Sequence, residues 1–137
     1  MYTEAVTRWN QRESKNLPPY DYIDRMTRAY LEAAEWADLD EDITHSLDPS
    51  SLENWSAHSV TEAWLTCSDF ARHNWDDLKG ILASQAGHDL WLTSRGHGTG
   101  FWDRGMGEIG DRLTEACQDR NHSVVFLHKD SQKLGID

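Results

Sequence analysis

The chain has 137 residues, 24 Asp and Glu against 13 Lys and Arg, and a formal charge of −11. One domain is the natural reading at this length, and seven Trp, four Tyr and three Phe supply enough large apolar side chains for a core. A mean hydropathy of −0.74 and the lack of any long apolar run exclude a membrane span, and two cysteines cannot make a disulfide framework. No basic flank or apolar stretch of the secretory kind opens the sequence. These features predict a soluble, intracellular protein.

The charge is concentrated. Between Arg28 and Arg72 there are ten acids and no Lys or Arg, while the remainder of the chain is close to neutral. Such a field repels nucleic acid and attracts basic partners. Solubility alone is the ordinary use of a block of this kind.

Residues 1–19 read as an arm ending at Pro18-Pro19, and 20–137 as a single domain. Ile23, Met26, Tyr30, Ala33, Ala34 and Ala37 recur at helical spacing after Asp21, a suitable N-cap, and predict a first helix. Ile43 to His58 reads as loop. Ser59-Val60-Thr61-Glu62 has the capping-box pattern, and Val60, Trp64, Cys67, Phe70, Trp75 and Leu78 follow one stripe of a second helix stopped at Gly87. Leu90 to Thr93 reads as a short strand, about 107–120 as a third helix with Ile109, Leu113 and Cys117 inward, and 123–128 and 134–136 as strands. The expected fold is therefore α+β. Two N-terminal helices would pack on a C-terminal β-α-β-β unit forming a small sheet.

The runs YLEAAEWADLDED, Cys67-x-x-Phe70, AGHDLWLTSRGHGTGFWDRG and GDRLTEA, followed by the terminal strands, together resemble an uncharacterised family of small tailed-phage and prophage proteins. The resemblance runs from about Ala29 to the C-terminus and implies a viral or mobile-element origin, hence a host cytoplasm, without implying a reaction. The family usually has Leu-Thr-Arg-Asn-Gly-His-Gly where this chain has Leu92-Thr93-Ser94-Arg95-Gly96-His97-Gly98, so its basic residue is displaced by one position.

Chemistry could reside in the loop of residues 96–105. There His97 could act as acid or base with Asp103 orienting it and Arg104 beside them, and successive glycine amides could form an anion nest. The spacing fits neither a phosphate-binding loop nor a dinucleotide fingerprint. A purely structural loop is the competing reading, with Phe101 and Trp102 plugging the core and Asp103–Arg104 holding the turn. The seven histidines have no metal-ligand spacing. Asp38, Asp40 and Asp42 imitate the start of a calcium loop, but Ile43 and Pro49 stand where Gly and Glu are required, so neither metal nor cofactor is expected. Cys67 and Cys117 fall on apolar stripes and read as buried thiols, and the tryptophans, Trp36 included, as core.

The function that follows is non-enzymatic. An accessory protein of a phage would bind a host or phage protein with a basic surface, without touching nucleic acid or membrane, through Glu35, Asp38, Asp40, Glu41, Asp42 and Asp48. Its sharpest form is an acidic DNA mimic that inhibits a host DNA-handling or defence complex. A small enzyme or ligand-binding module using His97, Asp103 and Arg104 is the alternative.

Overall fold

Pro18 and Pro19 set where the first helix can begin, because neither donates a backbone N–H and both fix φ near the helical value. The Pro19 carbonyl accepts from Ile23 N at 3.2 Å, and α1 runs Tyr20–Asp38. Asp21 thus lies inside the first turn, where its charge suits the helix dipole, rather than at the cap. The computed structural model describes residues 17–38, 52–96, 99–117, 125–127 and 134–136.

A short 3-10 turn at Leu52–Asn54 leads into α2, Ala57–His73. Its N-cap is Ser56, whose Oγ accepts from Ser59 N at 3.2 Å. Ser59, expected as the cap, is buried one turn further in and accepts a hydrogen bond from the Ser56 hydroxyl at 2.9 Å. The helix does not continue to Gly87. Asn74 ends it, its backbone and side-chain N–H groups both donating to the Phe70 carbonyl. A single turn, α3, Trp75–Leu78, follows, and then α4, Ala83–Ser94. A second 3-10 turn at Phe101–Asp103 precedes α5, Glu108–Cys117.

These five helices overturn the α+β expectation. The decisive segment is Leu90–Thr93, which lies within α4 instead of forming a strand. What remains of the β-α-β-β unit is one antiparallel ribbon among the described residues, β1 Val125–Leu127 against β2 Leu134–Ile136, paired Val125 with Ile136 and Leu127 with Leu134. It offers no sheet for helices to pack upon. Its role is local: the Leu134 carbonyl accepts from Ser56 N at 2.8 Å, tying the ribbon to the start of α2.

The core is a helix-on-helix interface. Ile23, Met26, Tyr30, Leu31 and Ala34 of α1 are buried together with Ala86, Leu90 and Trp91 of α4 and Cys67, Phe70 and Ala71 of α2. Full burial of side chains of this size contributes about 1.5–3 kcal/mol each, before the entropy cost of ordering them. α1 and α4 come close together at Gly87. A Cβ there would overlap the Met26 carbonyl and lie 2.8 Å from the Ala29 Cβ. The glycine read as a helix stop is what lets two helices touch. Tyr30 and Trp91 meet edge to face at 5.2 Å across the same interface, and Phe70 stacks on Phe101 at 5.9 Å.

Both cysteines are buried, as their stripes predict. Three aromatic and aliphatic expectations change. Phe101 is buried but Trp102 is 50% exposed, Ile109 lies at the surface of α5, and Trp36 is 68% exposed. Trp64 and Trp75 are partly buried against the core.

Candidate functional site

The loop after α4 is built around one buried carboxylate. Helix α4 carries Asp89 on its inward face, fully buried, immediately before Leu90 and Trp91. Its two oxygens accept from Arg104: Nη2 to Oδ1 at 2.7 Å, and Nε to Oδ1 and Oδ2 at 3.2 and 3.1 Å. The hydrogen bonds to Asp89 raise the pKa of the Arg104 guanidinium above its ordinary value. A buried charge is tolerable only when paired and hydrogen-bonded, and here a bidentate guanidinium supplies both.

The other loop residues are tied down in the same way. Thr99 Oγ1 donates to Asp103 Oδ2 at 3.1 Å, and Phe101 N donates to Thr93 Oγ1 at 3.1 Å. A side chain at Gly100 would collide with the Thr93 hydroxyl, so that hydrogen bond requires glycine there. Asp103 and Arg104, expected to assist His97, are therefore engaged with Thr99 and Asp89, and the turn is held by Arg104–Asp89 rather than Asp103–Arg104. His97 and Gly98 lie outside the described residues.

Of the acidic residues expected to face a partner, Glu35 is 1% exposed and cannot present its carboxylate. The cause is helical geometry. Residues Glu32 and Trp36 mark the solvent face of α1, and Glu35 is rotated about 100° from Trp36, onto the core side. Asp38 ends α1, with its side chain outside the description, and Asp40, Glu41, Asp42 and Asp48 lie outside the described residues. Further along the acidic segment, Glu62 and Asp69 are exposed on α2.

A groove of about 610 Å³ separates the first half of α1 from the start of α4. Tyr22, Ala29 and Ile81 give it apolar walls, and Arg25, Arg28 and His88 reach its edge. Tyr22 donates through its hydroxyl to the Ile81 carbonyl at 2.9 Å, and burial pushes its phenol pKa up. His88 Nε2 lies 3.0 Å from Glu32 Oε1 across the two helices. Sequence spacing does not reveal this groove, because its two walls are some sixty residues apart in the chain.

Among the described residues no cluster of three His, Cys, Asp or Glu side chains is placed to hold a metal ion. Nor is any described helix long and apolar enough to cross a membrane. Comparison with family models, curated proteins and solved structures finds no match to this chain.

Proposed function

We propose that the chain is a protein-binding accessory protein of a phage or other mobile element, acting in the host cytoplasm by presenting carboxylates to a basic surface of a host or phage protein. The observation that carries this reading is the charge distribution, ten acids without one Lys or Arg between Arg28 and Arg72. Carboxylates in that number accelerate encounter with a basic partner and can occupy a site shaped for phosphates. The phage origin rests on the resemblance of the loop and its flanking motifs.

With Glu35 withdrawn into the core, the carboxylates that serve this reading are Asp38, Asp40, Glu41, Asp42 and Asp48. Engagement of Asp103 by Thr99 and of Arg104 by Asp89 supports a structural role for the loop over the catalytic alternative.

The test is recovery of a partner on the tagged protein from host cells, in parallel with a variant carrying Asp38→Asn, Asp40→Asn, Glu41→Gln and Asp42→Asn. A partner bound by the parent, lost by the variant and displaced by added duplex DNA supports an inhibitor that mimics DNA. A partner retained equally by both rejects the acidic surface as the binding element.

A further inference from the structure

Helix α1 turns one stripe to solvent, in the order Asp21, Arg25, Arg28, Glu32 and Trp36. Trp36 and, on the far side of the groove, Leu82 are the most exposed large apolar side chains described, at 68% and 75%. We propose that this face is a self-association surface, on which Trp36 of one copy enters the groove between α1 and α4 of a second copy, the two α1 helices lying antiparallel. The proposal does not depend on the acidic-surface reading.

Three observations favour a second copy as the occupant. The first is the symmetry of the stripe. Arg28 and Glu32 have their midpoint at Tyr30, and Arg25 and Trp36 have theirs between Tyr30 and Leu31. One two-fold axis at that level of α1 therefore sets Arg28 opposite the second copy's Glu32 and Arg25 opposite its Trp36, and does so twice. Closed dimers require this kind of self-complementarity. The pairs are of the right kind, an ion pair and a guanidinium over an indole.

The second is access. Arg25 and Arg28 meet Asp21 and Asp24 through Nε at 3.1 and 3.2 Å, and their side chains stay 70% and 53% exposed. Glu32, 3.0 Å from His88 Nε2 through Oε1, is 46% exposed.

The third is fit. Trp36 lies one helical turn past Glu32, is not part of the groove lining, and stays mostly in solvent. The groove offers Tyr22, Ala29, Ile81 and Leu82 as apolar contacts around Arg25, the residue the two-fold axis sets opposite the second copy's indole. Indole anchors of this type carry a large share of interface energy.

The experiment is sedimentation equilibrium from micromolar to near-millimolar protein at physiological ionic strength, where a screening length of about 8 Å mutes repulsion between two acidic molecules. The parent should show a reversible monomer–dimer equilibrium. Trp36→Ala should raise the dissociation constant by at least about tenfold, the effect of losing a central aromatic anchor. Arg28→Glu should weaken association, and the double variant Arg28→Glu, Glu32→Arg should recover it to within a few-fold of the parent, because the exchange restores the pair across the axis. Unchanged thermal melts confirm that the variants are folded, as expected for surface positions. A parent that stays monomeric throughout overturns the proposal. So does a dimer indifferent to Trp36→Ala, or a double variant no better than Arg28→Glu alone.

Discussion

Asp89 and Arg104 are fifteen residues apart and form an ion pair in which the carboxylate is wholly removed from solvent. Helix α4 supplies the acid and the loop supplies the base, so the pair fixes where the chain turns back towards α5. Breaking it from the loop side leaves a buried charge without its partner. Arg104→Met should cost about 3 kcal/mol, the lower end of the range for such a loss because the guanidinium is itself partly solvated. Chemical denaturation measures this directly. The double variant Asp89→Leu, Arg104→Met should recover much of the loss, since replacing both members of a buried pair by apolar groups is often close to neutral. A single variant as stable as the parent would remove the pair from any structural role.

Adjacent aromatic residues at 101 and 102 should behave in opposite ways. Phe101 is fully buried against Phe70, and Phe101→Ala should destabilise by about 3–5 kcal/mol. Trp102 is half exposed, and Trp102→Ala should cost less than about 1 kcal/mol. Thermal or urea unfolding of the two variants side by side decides it, and equal losses would contradict the burial assigned to both.

Much of α1 and the stripe of α2 was legible because apolar residues at spacings of three and four can satisfy only a helix face. The run Leu90–Thr93 reads as a strand because four apolar or β-branched residues fit one as well as they fit one buried turn, and that reading hides Asp89 as a helical residue. Gly87 misled for a related reason. Glycine ends helices when it supplies a positive φ, but it also sits inside them where a neighbouring backbone leaves no room for Cβ. Sequence spacing cannot separate the two. The Arg104–Asp89 pairing was illegible because it depends on the path of the whole loop. The competing expectation, His97 with Asp103, used residues that are near in sequence. In the acidic set, a rotation of one residue along α1 takes Glu35 from surface to core.

Gly87 gives a sharp test of the α1–α4 contact. On an isolated helix Gly→Ala would stabilise by roughly 1 kcal/mol. Here the added methyl meets the Met26 backbone and the Ala29 side chain, and backbone cannot yield as a flexible side chain can. Gly87→Ala should therefore destabilise by about 1–3 kcal/mol, the usual cost of overpacking, with a lowered Tm. A raised Tm would mean that the two helices are farther apart than described.

Asp77 links α3 to α5 through Arg112, with Nη2 to Oδ1 at 2.7 Å and Nε to Oδ2 at 3.0 Å. Those hydrogen bonds hold the Asp77 carboxyl below the usual carboxylate value of 3.8. A group whose pKa is depressed on folding adds stability above its unfolded pKa, and that stability is lost as pH falls through the folded value. Asp77→Asn keeps the size of the side chain and removes the ionisation. The parent should therefore melt higher than the variant at neutral pH, and the gap should close as pH drops below the ordinary carboxylate range. Arg112 is largely solvated, so the gap should also shrink with added salt. Melting curves for both proteins across that pH range settle the matter. A gap that stayed constant into acid would show that Asp77 stabilises α3 by some route other than its charge, such as capping the short helix through its neutral hydrogen-bonding atoms.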